Sequence, residues 1–483
     1  MVHIPLRLTS IVATLGPATS DAAVLRRMIE AGMDVARLNF AHGARETHGE
    51  VLACLRRTAE ECGKFVAVLQ DLAGPKLRLR TPAGASVEVG AGDRVRLCRE
   101  VPDDAGARDL ACTYPAVVDD CAPGDPVLFS DGDVVMHVVE RAGDHLVLEC
   151  IEGGTLSPDT GINLPQTDLS ARLPTERDWQ DLEWGLAHEV DYVGLSFVRT
   201  AGEVRSVKEF IAKAGADARV IAKIEKPQAV DEIDAILREC DGLMVARGDL
   251  GVEMDVARVP IIQKDLIRRA AAAGVPVITA TQMLQSMVSE PRPTRAEVSD
   301  VANAVFDGSD AVMLSGETAI GRHPVRAVEM MDHIIDLAED YAERAEWRAG
   351  AGRQERYVWC ERAIVAGAAG IAQSLDPALI VALTHTGATA LLMSKQWLGV
   401  PILAVSDSVS TCRRMALYRG VIPVHSPDLI RHEDLAAAVQ QMALERKLVV
   451  AGDRILIISG YFPGKPGGTD TLRVHTVSGG DVS

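Results

Sequence analysis

The chemistry open to this chain is concentrated in one stretch, residues 219–251, which reads RVIAKIEKPQAVDEIDAILRECDGLMVARGDLG. Two apolar strands, at 220–224 and 243–246, flank a helical run. Residues two apart on a strand point the same way. Lys223 and Glu225 therefore share a side, and on the same reasoning so do Arg247 and Asp249. Two cations and two carboxylates gather where neighbouring parallel strands end. Carboxylates with no Asn or Cys beside them suit a hard divalent ion such as Mg²⁺ or Mn²⁺. Lys and Arg next to that ion suit a substrate whose negative charge changes during reaction. The alternative is a pair of surface salt bridges, which are common and weak. Two such pairs on successive strands, each closed by Gly or Pro, argue against it.

Positioning these groups requires several parallel strands side by side. Ser10–Leu15 is a β run ended by Gly16-Pro17, and Ser20-Asp21 caps a helix that ends near Gly32. Strands at 34–40 and 65–72 follow, with a helix at 45–63 between them. Short connections in a β-α-β-α-β pattern imply parallel strands and right-handed crossovers. From residue 79 to 164 the rhythm breaks into short β runs such as SVEVGAGDRVRL and PVLFSDGDVVMHVV. This segment reads as a small β-barrel domain inserted after the third strand, placed to close as a lid. Alternation resumes after Pro174-Thr175, with strands at 191–197, 220–224, 243–246, 276–281 and 310–315. Eight strands, each followed by a helix, predict an α/β fold: a (β/α)8 barrel built from residues 1–78 and 165–345 around the insert 79–164. An open eight-stranded sheet is the structural alternative. A charged run at 346–356 marks the start of a third unit, 346–483, read as an open α/β domain with a closing hairpin around a Gly-rich loop at 460–469.

Composition narrows the function classes. The formal charge is −18, which disfavours nucleic acid and anionic membranes as partners, so any phosphate site must be a local cationic pocket. No apolar run approaches the length of a membrane span. The 9 cysteines are scattered without a C-x-x-C pair, and the first residues lack a signal-peptide core, which predicts free thiols in the cytoplasm. Aromatic residues are only 4%, so the core must be built from Ala, Val, Leu and Ile.

Chemistry in a (β/α)8 barrel sits at the C-terminal strand ends. Arg37, Asn39 and His42 lie at the end of strand two. Asp71, Lys76 and Arg78 follow strand three, and Thr281, Gln282, Ser315 and Glu317 end strands seven and eight. Arg37, Arg78, Lys223, Arg247 and Lys76 would form a cationic bowl around a Glu225/Asp249 metal site. A cationic bowl, a divalent ion and a lid are the parts that phosphoryl transfer needs.

At these residues the sequence resembles the pyruvate kinase family. The runs IVATLGPAT, DVARLNFAHG, LQDLAGPKLR, AKIEKPQAVDEID, DGLMVARGDLGVE, ITATQMLQSM and PRPTRAEVSDVANAVFDGSDAVMLSGETA carry the resemblance, which covers nearly the whole chain. The family implies a barrel, an inserted lid and a C-terminal regulatory domain, with phosphate passing from phosphoenolpyruvate to ADP. It implies that Glu225 and Asp249 ligate the divalent ion and that Lys223 neutralises the transferring phosphoryl group and the enolate oxygen. Arg37 and Arg78 would hold phosphates. The Gly248 and Asp249 amides would bind the substrate carboxylate, and Thr281 would belong to a proton relay in which water is the immediate donor. Asn39, His42 and Asp131 carry over as nucleotide contacts. In the C-terminal domain, Thr384, Thr386, Gly387 and Thr389 suggest a phosphate cradle for a sugar-phosphate or AMP effector, with an ordinary capped helix start as the plain alternative. The family also implies a homotetramer, in which Arg247 has two candidate roles, a subunit contact and a share of the pocket.

The chain departs from the family pattern where most members bind K⁺. The usual run Asn-Phe-Ser-His is here Asn39-Phe40-Ala41-His42, and Leu72 stands where a Thr ligand is usual. Lys76 stands where K⁺-dependent members carry Glu, and its ammonium can supply the charge that K⁺ brings. Together these changes predict activity without K⁺. Thr160 replaces a lysine that would hold nucleotide phosphate, Ala388 a basic residue, and Ser10 a common Lys. Two other readings are a lyase that handles pyruvate enolate without ADP and a degenerate paralogue that senses metabolites.

Overall fold

The structure is a computed structural model and describes residues 7–75, 77–165, 167–344, 360–430, 432, 434–460 and 468–478. Eight parallel strands close into a barrel: β1 (Ser10–Leu15), β2 (Val35–Asn39), β3 (Ala67–Asp71), β4 (Tyr192–Leu195), β5 (Arg219–Ile224), β6 (Gly242–Ala246), β7 (Val277–Ala280) and β8 (Ala311–Leu314). Each pairs with its sequence neighbour and β8 returns to β1, so the open sheet is ruled out. The strands are runs of Val, Ile, Leu and Ala because both faces are buried, as parallel sheets require. Ile11, Leu38, Val68 and Val220 face the helical ring, while Val12, Leu69, Ile221 and Met244 fill the interior. Five of the eight strands, β2, β3, β4, β7 and β8, are one or two residues shorter at each end than sequence predicts, while β5 and β6 begin one residue earlier. Helix starts are fixed by side chains: Asp21 Oδ1 accepts from the Ala23 amide at 2.8 Å, and Thr175, Thr200 and Thr294 each form a capping box.

Between Leu79 and Asn163 the chain forms a seven-stranded sheet, with a two-stranded ribbon beside it. Leu79 N donates to Thr160 O at 2.8 Å and Ile162 N to Leu77 O at 3.0 Å. These bonds stitch the two edges together, so the sheet rolls into a nearly closed second barrel. Its turn at Ser130–Gly132 packs on the helix Arg247–Glu253, so the insert reaches the mouth of the main barrel.

The C-terminal unit is a five-stranded open sheet: β9 (Leu379–Leu383), β10 (Ile402–Ser406), β11 (Val421–His425), β12 (Arg454–Gly460) and β13 (Thr469–Thr476). Its order is β11-β10-β9-β12-β13, with only β13 antiparallel. A short helix, Ala388–Ser394, follows β9, and Trp397 beyond it turns with φ 51°. A helix that sequence reading passed over, Leu435–Glu445, covers the sheet. The boundary run at 346–356 and most of the Gly-rich loop at 460–469 lie outside the described residues. Interior barrel residues such as Leu69, Tyr192 and Met313 pack in one cluster with Ile380, Ala404 and Met415, so this domain plugs the N-terminal end of the barrel. No helix among the described residues is long and apolar enough to cross a membrane, and all nine cysteines are free thiols.

Candidate active site

The C-terminal strand ends border a cavity of about 290 Å³, lined by the barrel rim and by the stem of the lid at Leu77, Arg78 and 161–164. Lys223 is among its lining residues. Its Nζ lies 2.9 Å from Glu225 Oε1 and 3.0 Å from Asp71 Oδ1, and donates to Ser196 Oγ at 2.7 Å. Arg37 donates to Asp71 Oδ2 through Nε at 2.7 Å and to Thr14 Oγ1 at 3.0 Å. Asp71 is therefore shared by two cations, one on each oxygen. The second oxygen of Glu225 accepts from the Phe197 amide at 2.6 Å, where the backbone turns with φ 56°.

These contacts set the electrostatics. Burial works against the Lys223 ammonium, but Asp71 and Glu225 more than offset it and raise its pKa above the usual lysine value. Burial alone would raise Asp71; the Lys223 and Arg37 charges reverse that and lower it. Glu225 behaves oppositely: burial, helped by the nearby Asp249 charge and opposed by Lys223, pushes its carboxyl up to about 7.

One expectation is corrected. Arg247 and Asp249 do not continue β6; they open a helix, Arg247–Glu253. At about 100° per residue, two positions along a helix reverse the direction of a side chain. Asp249 faces the cavity, whereas Arg247 turns away and is not part of the cationic bowl. It pairs with Asp300 at 2.7 Å and donates to the carbonyls of Ala280 and Thr281 at 3.2 and 2.8 Å.

Arg78, Asn39 and His42 line the cavity with Arg37, Lys223, Glu225 and Asp249. Arg78 also donates to Asp159 O at 3.1 Å, and Asn39 Oδ1 accepts from the Ala41 amide at 3.1 Å. Gly248 and Thr281 do not line it; the Gly248 amide donates to Thr281 Oγ1 at 2.7 Å, and that hydroxyl donates to Ala280 O at 2.7 Å. Thr281 holds φ 69°, an uncommon strain for a β-branched residue. Glu317 is fully buried and accepts from the Leu284 and Ser315 amides at 3.0 and 2.7 Å, so the end of β8 shapes a loop and does not face the cavity. Asp131 lies in the lid turn that packs on the Arg247–Glu253 helix. Lys76 lies outside the described residues. Far from this site, Thr384 Oγ1 accepts from the Gly387 amide at 2.9 Å, Thr386 Oγ1 from the Ala388 amide at 3.4 Å, and Thr389 Oγ1 lies 2.8 Å from Thr469 Oγ1.

Sequence reading assigned no part to Thr14, Ser196, Asp300, Lys226 or Glu253, and noted Asp71 only as a polar strand end. Their partners come from other strands, so no local spacing announces them. The one available signal was Glu253, four residues after Asp249 and hence on its face once the segment is recognised as helical.

The residues present fit a divalent ion. Glu225, just past β5, and Asp249, in the first turn of the helix after β6, border one cavity, and the Asp249 charge adds to the burial that raises the Glu225 pKa. Among the described residues no group of three His, Cys, Asp or Glu side chains could cage a metal. Mg²⁺ is commonly held by one or two carboxylates, with the rest of its shell from substrate and water.

A cationic cavity with a carboxylate pair, at the C-terminal mouth of a (β/α)8 barrel and beneath a β lid, defines a phosphotransferase. Two family models match the chain: "Pyruvate kinase, barrel domain" over residues 6–328 and "Pyruvate kinase, alpha/beta domain" over 362–475. The chain belongs to the pyruvate kinase family. It is 43% identical to pyruvate kinase 2 of Synechocystis over 98% of its own length and 79% of that protein. It is 39% identical to a pyruvate kinase of Thermococcus litoralis over 99% of its length and 100% of that protein. The crystal structure of a pyruvate kinase from Cryptosporidium parvum superposes with a TM-score of 0.90 at 31% identity, covering 98% of this chain and 96% of that one.

Proposed function

We propose that this cavity transfers the phosphoryl group of phosphoenolpyruvate to ADP, giving pyruvate and ATP. An ADP oxygen bonds to phosphorus, the bond from phosphorus to the enol oxygen breaks, and the enolate left behind takes a proton at its terminal carbon. The observation that carries this reading is Lys223: a buried ammonium kept charged by Asp71 and Glu225, lining a cavity that Arg37 and Arg78 also line. A fixed ammonium stabilises charge on the moving phosphoryl group and the enolate oxygen without reorganising. Arg37, set by Asp71 and Thr14, orients the phosphate, and Arg78 on the lid stem serves the nucleotide together with Asn39 and His42 in the same cavity, with Asp131 of the lid assigned to the nucleotide as well. Gly248 and Thr281 form one hydrogen-bonded unit next to Asp249, and for them to serve the substrate carboxylate and the proton relay the Gly248 amide must leave Thr281 Oγ1 and turn to the substrate. Glu225 and Asp249 would hold Mg²⁺ or Mn²⁺. When bound, that ion supplies positive charge to substrate oxygens.

The same reading extends to regulation and assembly. Ala41 and Leu72 bring no side-chain oxygen to the cavity wall beside Asn39, which supports K⁺-independent turnover. A sugar phosphate or AMP is the effector class we assign to Thr384–Thr389, from its hydroxyls and the left-handed Gly387 (φ 87°). Membership of the pyruvate kinase family supports a homotetramer. The free thiols support a cytoplasmic location. The change of element type supports domain divisions at 78/79 and 164/165, and the division at 345/346 lies outside the described residues.

The deciding assay is pyruvate formation from phosphoenolpyruvate with Mg²⁺, with and without ADP, in K⁺ and again in a large organic cation. ADP-dependent turnover in both salts is expected. Turnover only in K⁺ removes the K⁺-independence reading, and turnover without ADP removes the kinase reading.

A further inference from the structure

The helix Arg247–Glu253 carries Asp249 but is short and has no side-chain cap at its start. Long-range contacts hold it in place. Its first turn is pinned by Arg247 on Asp300 and by the Gly248 amide on Thr281. Its last residue, Glu253, is buried with Oε1 2.7 Å from Lys226 Nζ. Neither Glu253 oxygen accepts an aligned hydrogen bond among the described residues, so charge holds this contact. Lys226 directly follows Glu225, with extended backbone (φ −121°, ψ 146°) at the entry to the helix Pro227–Asp231. Asp249 and Glu253, one helical turn apart, share a face. Two consecutive residues past the end of β5 thus meet two carboxylates on one helix face, and all four line the cavity. Glu225 with Asp249 makes one rung, and Lys226 with Glu253 makes the next.

We propose that Lys226 and Glu253 are a positioning pair that clips this helix to the end of β5 and so sets Asp249 against Glu225 for metal binding. This rests on the reading of Glu225 and Asp249 as metal ligands. Two physical effects depend on the pair. Without Lys226, Glu253 is a buried carboxylate with no counter-charge, on the helix face that carries Asp249, and its repulsion and need for water drive the helix end away. Without the Glu253 charge, the Lys226 ammonium is released beside Asp249 and Glu225, where it competes with the ion. Either change weakens the metal site while leaving both ligands present, as outer partners of metal ligands commonly do.

The test is Mn²⁺ binding to the full chain, followed by electron paramagnetic resonance of the free ion, with circular dichroism to verify folding. Lys226→Met and Glu253→Gln should each weaken Mn²⁺ binding about tenfold. The double variant should be no weaker than the worse single one, because both remove the same contact. Lys226→Arg should stay within about threefold of the parent, since it keeps the charge. Should Lys226→Met fail to fold, the near-isosteric Glu253→Gln decides the same question. Mn²⁺ binding that is lost in Glu225→Gln but unchanged in Glu253→Gln overturns the positioning pair and leaves the metal reading standing. Mn²⁺ binding that is equal in the parent and in Glu225→Gln overturns the metal reading and the pair with it. A raised KM for phosphoenolpyruvate or ADP with unchanged Mn²⁺ affinity makes Lys226 a substrate contact and overturns its positioning role.

Discussion

At the scale of single residues, Glu225 has the most measurable consequence. Its carboxyl is pushed up to about 7 by burial and by Asp249, against the opposing pull of Lys223. A raised carboxyl binds its proton more tightly in the folded chain than in the unfolded one. Metal-free stability therefore falls as pH rises from the ordinary carboxyl range through 7. Metal affinity moves the other way, because the ligand must lose that proton. Below pH 7 apparent Mn²⁺ affinity should fall about tenfold per pH unit, which titrations at pH 6, 7 and 8 would read; a flat profile would mean that Glu225 is ionised throughout. Asp71 yields a second prediction. Its side chain is only 1% exposed, and it neutralises Lys223 and Arg37 together. Asp71→Asn leaves two buried cations short of a counter-charge, which should cost about 3–5 kcal/mol and most of the activity, seen as a lower thermal midpoint and a reduced kcat. Lys223, Glu225 and Asp249 could be read in sequence because their types are unusual at the end of an apolar run. Asp71 could be seen but not assigned, because its importance lies in side chains that arrive from β2 and β5.

Among elements, the barrel strands were legible and the helix Arg247–Glu253 was not, for one physical reason each. A strand buried on both faces must be an apolar run, and Gly, Pro or charge stops it sharply, as Leu15-Gly16-Pro17 does. The Arg247–Glu253 helix starts directly from β6 with Ala246 at its N-cap position, so nothing local marks the change of period, and Arg247 was placed on the wrong face. The hinge to the lid is a further element whose constraint can be tested. Gly74 has φ 65°, and a Cβ there would stand 2.5 Å from Phe197 Cδ2. Phe197 in turn gives its amide to Glu225 at 2.6 Å. Gly74→Ala should destabilise the chain by about 1–2 kcal/mol from the left-handed backbone alone. It should also weaken Mn²⁺ binding, since the displaced ring carries the amide that orients Glu225. Loss of stability with unchanged Mn²⁺ affinity would confine the effect to the hinge.

For the whole molecule, the question is what holds the C-terminal domain to the barrel. Predicting three units from the rhythm of elements said nothing about how they dock, because docking is written in single residues such as Lys395. This lysine enters from the C-terminal domain and forms an ion pair with Asp310, which precedes β8 at the end of the barrel opposite the cavity. Both side chains are at most 2% exposed. Asp310 Oδ2 also accepts from the Val277 amide at 2.7 Å, which ties the pair to the foot of β7. Burial lowers the Lys395 pKa despite the attraction of Asp310. Such a pair adds little net stability, yet breaking one side of it is costly. Lys395→Met leaves Asp310 without its ion-pair partner in a buried seam, with Arg419 as the remaining cation, and should cost about 3–5 kcal/mol, while Lys395→Met with Asp310→Asn should recover much of that loss. Calorimetry of the two variants against the parent would measure both. Because the pair lies at the opposite end of the barrel from Lys223, kcat well below the transition should stay within about twofold of the parent, as expected when no catalytic geometry is touched. A large fall in kcat in folded Lys395→Met would instead mean that the domain seam and the catalytic mouth are coupled through the barrel, whose interior packs in one cluster with the C-terminal sheet.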